Sequence, residues 1–337
     1  MKARQGKSRR PILVTGGAGY IGSTLCRELL FRGYAVRAID SLLHSGHSLN
    51  LLYNHPNFEF VRGDITKLGH LKSALEGVGD VIHLAAIVGD KPCERDPRSA
   101  VEVNLKATQQ LAEMAKKAGI SRFLFASTCS AYGVTDTNKP AAEDRELNPV
   151  SLYAETKIDC EEFLSGLPRN VGFRPVILRC STAFGVSGRT RFDLTVNSFT
   201  YEALKYKRLI VFAEDTWRPF AHVYDIARIY CAFLELNLAD TTGLIFNAGW
   251  TRQNHTKKEI VEIIKEVVGG VEVDYLRTVE DKRTYRVDFS RMEKAIGLLP
   301  KIDVRQGVRE LASAIQAGFL APADFGGSNL RQGDERY

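Results

Sequence analysis

The chain has 337 residues, of which 44% are hydrophobic and 26% charged, and these proportions exclude a disordered or fibrous protein while allowing a sizeable core. The formal net charge is +6, but five basic residues precede residue 11 with no acidic residue among them, so the rest of the chain is nearly neutral. A short basic tail without interleaved aromatic residues gives no reason to expect nucleic-acid binding.

The cysteines and the apolar runs exclude further classes. Six cysteines are scattered without the short paired spacings of a zinc site or a disulfide framework, so we expect free thiols and no bound metal. The N-terminus lacks the apolar core of a signal peptide, and no apolar run is long enough to span a bilayer. The sequence therefore predicts a cytoplasmic protein with no membrane partner.

The first predicted elements are a strand over 12–15 and an amphipathic helix over 23–31, joined by a glycine-rich turn. In such a turn Gly16 permits the reversal and Gly19 lets the backbone approach a pyrophosphate. Gly22 lets the helix pack closely on the strand, and the N-terminus of the helix directs N–H groups at the phosphates. The stretch therefore predicts a dinucleotide site.

The second predicted strand covers 35–40 and ends in Asp40, about twenty residues beyond the glycines. A carboxylate at this place accepts hydrogen bonds from the adenosine ribose hydroxyls of NAD and repels the extra phosphate of NADP. Asp40 therefore predicts NAD as the cofactor.

Strands and helices alternate through the first half of the chain. Strands are predicted over 58–62, 81–84, 122–126 and 176–180, helices over 66–75, 98–118 and 150–164, and polar loops over 88–97 and 133–149. This alternation is typical of an α/β fold with a doubly wound parallel Rossmann sheet, which binds ligands at its carboxyl edge. At that edge Asp64 could reach the adenine, and Ala85 and Ala86 would leave room for a cofactor.

Tyr153 and Lys157 lie four residues apart on a predicted helix, and therefore on one face of it. A neighbouring ammonium group and the positive charge of oxidised nicotinamide would lower the pKa of the phenol, which is about 10 when unperturbed. Tyr153 could then act as a general base toward a hydroxyl, while Thr128 hydrogen-bonds the same oxygen. Taken alone, the pair would more often be a core tyrosine and a surface lysine, but beside a dinucleotide site a redox role is favoured.

Beyond residue 185 the pattern is less regular. Helices are predicted over 192–205, 223–236 and 257–268, and strands over 209–212 and 244–248. We interpret this part as a smaller, mixed α/β C-terminal substrate lobe. The predicted ranges are 11–185 for the dinucleotide-binding domain and 186–320 for the lobe, some of whose segments could return to the first sheet, with flexible tails over 1–10 and 321–337.

Seven motifs in order resemble the extended short-chain dehydrogenase/reductase family, and within it the nucleotide-sugar epimerases and dehydratases. They are TGGAGYIG at 15–22, HLAA at 83–86, VNLKAT at 103–108, STCSAYG at 127–133, YAETK at 153–157, LRCSTAFG at 178–185 and RPFAHVYDIA at 218–227. The resemblance covers about residues 11–318. It implies an NAD-dependent enzyme that acts on a nucleoside-diphosphate sugar.

The resemblance also implies roles for particular residues. The position of Thr128 binds the reacting sugar oxygen, that of Tyr153 is the base, and that of Lys157 holds the nicotinamide ribose. Arg218 would bind the diphosphate, and either Arg283 or Arg286 would supply a second clamp. The predicted cofactor-binding set is Gly16, Gly19, Tyr20, Ile21, Gly22, Asp40, Asp64, Ile65, Leu84, Ala85, Ala86, Asn104, Tyr153 and Lys157. The predicted substrate-binding set is Ser130, Thr182, Asn197, Arg218 and Arg283. A homodimer through the helices that carry Asn104 and Tyr153 is also implied.

Two departures from the family pattern bear on the reaction. Sugar-nucleotide 4,6-dehydratases carry an Asp-Glu pair directly after the threonine, where this chain has Cys129 and Ser130. Neither is a ready acid or base, so dehydration is disfavoured, and so is the decarboxylation that uses a glutamate at the second position. Cys129 could still do proton chemistry if its pKa were lowered, although a cysteine here more often packs. Thr182 stands where hexose 4-epimerases usually have an asparagine that contacts the substrate, which leaves the substrate open.

Among the reactions considered, epimerisation at C4 requires the fewest catalytic side chains. Hydride would leave C4 for NAD⁺ as Tyr153 takes the hydroxyl proton, the 4-keto sugar would turn, and hydride would return to its other face. The alternatives are a dehydratase or an epimerase at another carbon that uses Cys129, a 4-keto-sugar reductase, and a dinucleotide-binding sensor without enzymatic activity.

Overall fold

The computed structural model describes residues 10–167, 172–237, 245–276, 281 and 283–321, and within these ranges the chain forms twelve β-strands and eleven α-helices. The strands are β1 (Ile12–Thr15), β2 (Val36–Asp40), β3 (Phe58–Arg62), β4 (Asp80–His83), β5 (Arg122–Thr128), β6 (Arg174–Cys180), β7 (Thr182–Phe184), β8 (Arg208–Phe212), β9 (Trp217–His222), β10 (Ile245–Ala248), β11 (Asn254–Thr256) and β12 (Glu272–Leu276). The helices are α1 (Tyr20–Phe31), α2 (Leu68–Leu75), α3 (Asp90–Arg95), α4 (Pro97–Ala100), α5 (Ala107–Lys117), α6 (Leu152–Gly166), α7 (Thr195–Tyr206), α8 (Val223–Glu235), α9 (Lys257–Val268), α10 (Ser290–Ile296) and α11 (Val304–Gln316).

Seven strands form one sheet in the spatial order β10, β6, β5, β4, β1, β2, β3, and every pairing in it is parallel. The chain first builds outward from β1 to β3 and then returns to add β4 on the other side of β1. Sheets of this kind bind ligands in the crevice at such a switch point, beyond the carboxyl ends of the strands. The predicted α/β fold with a doubly wound parallel Rossmann sheet is confirmed.

Helices cover both faces of the large sheet, because its strands carry apolar side chains on both sides. One face packs against α1 and α8, through residues that include Leu25 and Phe233. The opposite face packs against α2, α5 and α6, through residues that include Leu111 and Leu164. Since α8 and β10 both follow residue 186, the second part of the chain contributes to the layers around the large sheet.

The smaller part of the structure has its own strands and core. Its three-stranded sheet has the order β11, β9, β7, with one antiparallel and one parallel pairing, and β12 pairs in parallel with β8. Helices α7, α9 and α11 pack against one another around this core, which includes Val196, Ile260 and Leu311. The division into domains over 11–185 and 186–320 stays a prediction.

Several local predictions were wrong. The polar loop predicted over 88–97 contains α3, and the helix predicted over 98–118 begins at Pro97 and has a π-helical segment, Val101–Lys106, between α4 and α5. β7 and β11 were not predicted, because three residues are too few to show a strand period. β9, β12, α10 and α11 were also missed. Most of the two predicted tails, residues 1–9 and 322–337, lies outside the described residues.

The glycine-rich turn brings backbone against backbone. Gly16 has a φ angle of +69°, and a Cβ atom there would lie 2.9 Å from the Cα atom of Ala85, so the turn after β1 touches the chain after β4. A Cβ atom at Gly22 would lie 2.0 Å from the carbonyl oxygen of Gly16. Helix α1 can therefore begin this close to β1 only because position 22 has no side chain.

We expect Gly22→Ala to lower the free energy of unfolding by about 1–3 kcal/mol, because the added methyl group overlaps backbone atoms of the turn. Urea unfolding followed by circular dichroism measures the change. Gly69→Ala is the matched control, since Gly69 lies in α2 with open space where a Cβ atom would stand. That variant is expected to keep or gain stability. Equal losses in both variants would contradict the close packing at position 22.

A buried histidine joins β4 to its neighbours. His83 Nδ1 lies 2.7 Å from Thr15 Oγ1 of β1, and His83 Nε2 lies 2.8 Å from Thr108 Oγ1 of α5. Burial lowers the pKa of His83 to about 3, and the positive charge of Lys157 acts in the same direction. The imidazole is therefore neutral in the folded protein at neutral pH.

The lowered pKa of His83 predicts that stability depends on pH. In the unfolded chain this ring takes up a proton below about pH 6.5, whereas in the folded protein it stays neutral until the pH approaches about 3. The parent protein is therefore expected to lose more stability than His83→Gln as the pH falls from about 7.5 to about 5. Thermal unfolding of both at the two pH values measures the difference. His47→Gln, at an exposed position, should keep the parent's pH dependence, and so would His83→Gln if the assignment were wrong.

Candidate active site

Asp40, at the carboxyl end of β2, is fixed against the glycine-rich turn. Its Oδ2 accepts a hydrogen bond from the backbone N–H of Ala18 at 3.0 Å, and its Oδ1 accepts one from Leu42 N–H at 2.8 Å. Burial raises the pKa of Asp40, and the two N–H donors together with the positive charge of Arg189 oppose that rise. The carboxylate thus lies at the adenosine end predicted for a dinucleotide.

The end of β4 forms the other wall of the crevice. The backbone N–H groups of Leu84 and Ala85 donate to Thr15 Oγ1, at 3.2 and 3.1 Å, which holds this segment beside the turn. The next residues are positioned by Asn104, whose side chain accepts from Ile87 N–H at 2.8 Å and donates to Ile87 O at 3.0 Å. Asn104 is fully buried in the π-helical segment and therefore shapes the crevice through Ile87.

Tyr20 and Asn197, predicted on opposite sides of the cleft, contact each other. The Tyr20 hydroxyl donates to Gly185 O at 2.7 Å and accepts from Asn197 Nδ2 at 3.2 Å. Asn197 also accepts from Gly185 N–H and donates to Arg191 O, so its hydrogen-bonding groups are used within the protein. These bonds fasten the segment after β7 to the start of α1.

The other predicted cofactor residues lie at the same edge. Asp64 Oδ1 accepts from both the backbone N–H and the hydroxyl of Thr66, each at 2.8 Å, and so caps a turn after β3. Ile65 is buried, and Ile21 packs against the core beneath α1. The turn without Cβ atoms, the N-terminus of α1 and the carboxylate of Asp40 are the features that the pyrophosphate and adenosine ribose of a dinucleotide require.

Three groups with potential for catalysis lie where β5 meets α6. Thr128 ends β5, and its Oγ1 accepts from Ser130 N–H at 3.0 Å. Tyr153 and Lys157 stand one turn apart on α6, with Lys157 Nζ 6.0 Å from the centre of the Tyr153 ring. Lys157 is only 2% exposed, and its Nζ donates to Ala126 O at 2.9 Å. Thr128 and Lys157 are thus held by backbone contacts at the carboxyl edge of the sheet, with Tyr153 one helical turn from Lys157.

The low dielectric of this edge acts on both ionisable groups. Burial raises the pKa of Tyr153 above its usual value, and the positive charge of Arg191 offsets only part of that rise. Burial lowers the pKa of Lys157, while neighbouring thiols and Glu161 oppose the change. In the protein by itself the phenol is therefore favoured at neutral pH, and Tyr153 becomes a base only beside further positive charge.

The acid or base role considered for Cys129 is disfavoured by its position. The thiol is 1% exposed, packs among aromatic residues and donates to Arg179 O at 3.1 Å, on the inner side of the strand end. Burial raises its pKa well above the usual value, and the nearby Cys180 adds to the rise. Ser130 is partly exposed instead, and its hydroxyl lies 3.2 Å from the hydroxyl of Tyr285. Proton chemistry at position 129 would therefore require a buried thiolate.

Arg218 belongs to a cluster of cations around one carboxylate. Arg218 Nη2 and Lys257 Nζ each lie 3.0 Å from Asp281 Oδ2, and Arg283 Nε lies 3.2 Å from Asp281 Oδ1. Arg283 also pairs with Asp90 at the start of α3. Burial would raise the pKa of Asp281, but the three cations hold it well below its usual range. Three cations against two carboxylates leave this cluster with a positive charge that suits an anionic group.

The two arginines predicted as candidates for a second clamp have different contacts. Arg286 directs Nη1 to Thr137 O at 3.1 Å and stacks over the ring of Trp217, away from Asp281. Arg283 is the one that joins Arg218. Thr182 is the partly exposed first residue of β7 and lies in register with Phe220 of β9, the strand that carries Arg218.

Three residues of this region were not predicted from the sequence. Lys257 resembles any lysine at the start of a surface helix, and Asp281 resembles any loop carboxylate. Tyr285 is buried, with the Arg218 guanidinium 4.9 Å from its ring centre. Asp281 and Tyr285 lie in the charge-dense DKRTYR stretch, which does not show which groups converge, and Lys257 lies outside it.

The described part of the chain lacks two features that other classes of protein require. Among those residues there is no group of three or more His, Cys, Asp or Glu side chains arranged to hold a metal ion. None of the helices within the described ranges has the length and apolar character needed to cross a membrane.

The model of the NAD dependent epimerase/dehydratase family matches residues 12–249, and the chain therefore belongs to this family. The resemblance predicted from the seven motifs and the prediction of NAD as the cofactor are confirmed.

Particular relatives extend over nearly the whole chain. A UDP-glucuronate 4-epimerase of Thermodesulfobacterium geofontis is 30% identical over 309 residues, which cover 88% of this chain and 93% of the relative. A dTDP-glucose 4,6-dehydratase of Actinoplanes sp. is 30% identical over 323 residues, which cover 91% and 98%. The solved structure of the UDP-glucuronic acid 4-epimerase from Bacillus cereus, in complex with UDP-glucuronic acid and NAD, is 29% identical, with a TM-score of 0.81 and coverage of 91% and 99%.

Proposed function

We propose that this chain is an NAD-dependent epimerase that inverts C4 of a nucleoside-diphosphate sugar through a transient 4-keto sugar. The observation that carries the proposal is the end of β5, where Thr128 is followed by a buried thiol and a hydroxyl in place of a carboxylate pair. With bound NAD to accept and return the hydride, Thr128, Tyr153 and Lys157 would suffice to oxidise and reduce a carbon that bears a hydroxyl. Elimination of water needs a further acid and base, which Cys129 and Ser130 do not supply.

The relatives support the same reaction and suggest the nucleotide. Both 4-epimerases described above are named for UDP-glucuronate or UDP-glucuronic acid, and the solved one holds this sugar nucleotide together with NAD. The dehydratase relative is equally similar in sequence, so identity alone does not separate the two reactions. We therefore rest the choice of reaction on the residues after Thr128 and propose UDP as the nucleotide.

The residues of the site would divide the chemistry between them. When bound, NAD⁺ supplies the acceptor and later the donor of the hydride. Tyr153 would remove the proton of the sugar hydroxyl and return it, while Thr128 holds the same oxygen by a hydrogen bond. Lys157 would hold the nicotinamide ribose and add positive charge beside the phenol. Because burial favours the phenol, the base forms only when the site is loaded, which limits proton exchange in the empty enzyme.

The cation cluster would hold the substrate while its sugar turns. Arg218, Lys257 and Arg283 can share the negative charge of a diphosphate as they now share Asp281. A sugar held only through its diphosphate is free to rotate in the cleft and present either face of the 4-keto carbon. Epimerisation requires this freedom, because hydride must return to the opposite face.

The remaining predictions belong to the same proposal. Ser130 and Thr182 would contact the sugar, whereas Asn197 would act by holding Tyr20 and Gly185 in place. The homodimer through the helices that carry Asn104 and Tyr153, and the cytoplasmic location, stay predictions from the sequence.

The experiment that tests the reaction is incubation with UDP-glucuronate and UDP-glucose in deuterated water, with the products analysed by NMR. We expect the C4-inverted sugar without deuterium at C3 or C5. Tyr153→Phe should lower kcat by about 10²–10⁴-fold, because the proton of the hydroxyl loses its acceptor.

Tyr206→Phe, at an exposed position on α7, serves as the matched control and should keep the parent's kcat. Deuterium at C3 or C5, or an unsaturated product, would refute C4 epimerisation. Unchanged turnover in Tyr153→Phe would refute the role of the phenol. Absence of turnover in the parent, with NAD still bound, would favour a protein that only binds the dinucleotide.

A second prediction concerns Lys257. Lys257→Met should weaken the binding of UDP to the NAD-loaded protein about tenfold, because one charge-assisted hydrogen bond to the diphosphate is lost. Titration calorimetry measures the dissociation constant. The neighbouring Lys258→Met is the control, since Lys258 is exposed and lies outside the cluster. Equal affinities in the two variants would remove Lys257 from the clamp.

A further inference from the structure

A buried ion pair that takes no part in the chemistry above lies directly beside the end of β5. Arg179 of β6 and Glu161 of α6 are joined by three contacts, from Arg179 Nε to each carboxylate oxygen at 3.0 Å and from Nη2 to Oε2 at 2.7 Å. Both side chains are at most 4% exposed. A buried ion pair adds little to the free energy of unfolding compared with apolar residues of similar size. Stability alone therefore does not explain why this pair is present.

Both sequence neighbours of Thr128 contact the two residues of this pair, Ser127 through the Glu161 side chain and Cys129 through the backbone of Arg179. The hydroxyl of Ser127 donates to the carboxylate of Glu161, and the thiol of Cys129 donates to the carbonyl oxygen of Arg179 at 3.1 Å. Thr128 is therefore held from both sides by the same two residues.

The same pair also belongs to the helix that carries the other two catalytic candidates. Tyr153, Lys157 and Glu161 follow one another at four-residue intervals on α6, and so stand on one face of the helix. Glu161 thus connects this face of α6 with the strand end that carries Thr128. A second anchor of the pair is Tyr132, whose hydroxyl accepts from Arg179 Nη1 at 3.0 Å and donates to Asn247 Oδ1 at 2.7 Å.

We propose that the Glu161–Arg179 pair is a positioning device, which holds Thr128 in register with Tyr153 and Lys157, and in which Glu161 offsets the positive charge of Arg179 one helical turn from the Lys157 ammonium. This inference rests on the proposed function, because it assigns catalytic roles to Thr128, Tyr153 and Lys157.

The ionisable groups around Lys157 explain why the charge of Glu161 matters. Ionisable side chains from four elements act on it, namely His83 of β4, Cys93 of α3, Cys160 and Glu161 of α6 and Cys180 of β6. Burial raises the pKa of each of the three thiols to about 11 and lowers that of His83 to about 3, so these four groups are neutral at neutral pH. Glu161 is the carboxylate of this set, and it lies against the guanidinium of Arg179.

Three variants test the proposal. Glu161→Gln removes the negative charge and leaves Arg179 uncompensated, so Lys157 should lose its proton at a lower pH. Glu161→Gln combined with Arg179→Met removes both charges, and the pH dependence should return toward that of the parent. Ser127→Ala removes only the hydrogen bond to Glu161, and so loosens Thr128 without disturbing the ion pair.

Two measurements on these variants test the proposal. The first is the dissociation constant of NAD as a function of pH, measured by titration calorimetry on protein freed of cofactor. NAD binding weakens at high pH as Lys157 loses its proton, and the midpoint of this loss should lie about one pH unit lower in Glu161→Gln than in the parent. The second is turnover of the UDP-sugar, for which Ser127→Ala should lower kcat about tenfold while KM changes less than twofold.

Asp225→Asn is the control for lost stability. Asp225 is fully buried and forms another ion pair, with Arg228 at 2.6 Å on α8, and Arg228 also donates to Leu299 O. This variant should unfold at lower temperature but keep the alkaline midpoint of the parent. If Glu161→Gln fails to fold, Ser127→Ala still tests the positioning role through kcat, since it leaves the ion pair intact and no buried charge without a partner.

The outcomes separate this inference from the proposed function. An unchanged midpoint in Glu161→Gln, together with an unchanged kcat in Ser127→Ala, would overturn the positioning role even if the parent is an active epimerase. If the parent turns over no sugar, the proposed function fails, and the shift in the NAD midpoint still tests the effect of Glu161 on Lys157.

Discussion

The backbone contact between the glycine-rich turn and the chain after β4 is the constraint on which the rest of the site depends. Because Gly22 and Gly16 have no Cβ atom, the carbonyl oxygen of Gly16 packs against Gly22 and the backbone of Ala85 packs against Gly16. The ends of β1, α1 and β4 therefore meet without intervening side chains. Since the strands are parallel, the ends of β2 and β5 reach the same edge, which places Asp40 and Thr128 there as well. One steric requirement thus positions both ends of the cofactor crevice.

The two halves of the site differ in the charge that they favour. Around Tyr153 and Lys157 burial favours the neutral form of each group, so proton transfer there depends on charges brought by ligands and neighbours. Around Arg218 the three cations exceed the nearby carboxylates, so an anion is favoured whether or not the first half is loaded. A substrate with a diphosphate at one end and a neutral hydroxyl at the other matches this division.

Sequence reasoning succeeded where the pattern is local and strong. The strand–turn–helix around Gly16, the position of Asp40 and the spacing of Tyr153 and Lys157 all follow from residues close together in the chain. It failed for short strands such as β7 and β11, which exist only because a partner strand lies beside them. It also left Arg283 and Arg286 equivalent, although Arg283 pairs with Asp281 and Arg286 donates to the carbonyl oxygen of Thr137.

The sequence by itself determined the fold class, the dinucleotide site and the residue types after Thr128, because each of these is a property of neighbouring residues. Only the tertiary structure decided that Cys129 faces the core, that Lys157 lies among neutral thiols and beside Glu161, and that Lys257 and Asp281 join Arg218. These depend on which side chains meet across strands and helices far apart in the chain. Burial and the distance between charges, which set the chemistry of such groups, exist only once the chain has folded.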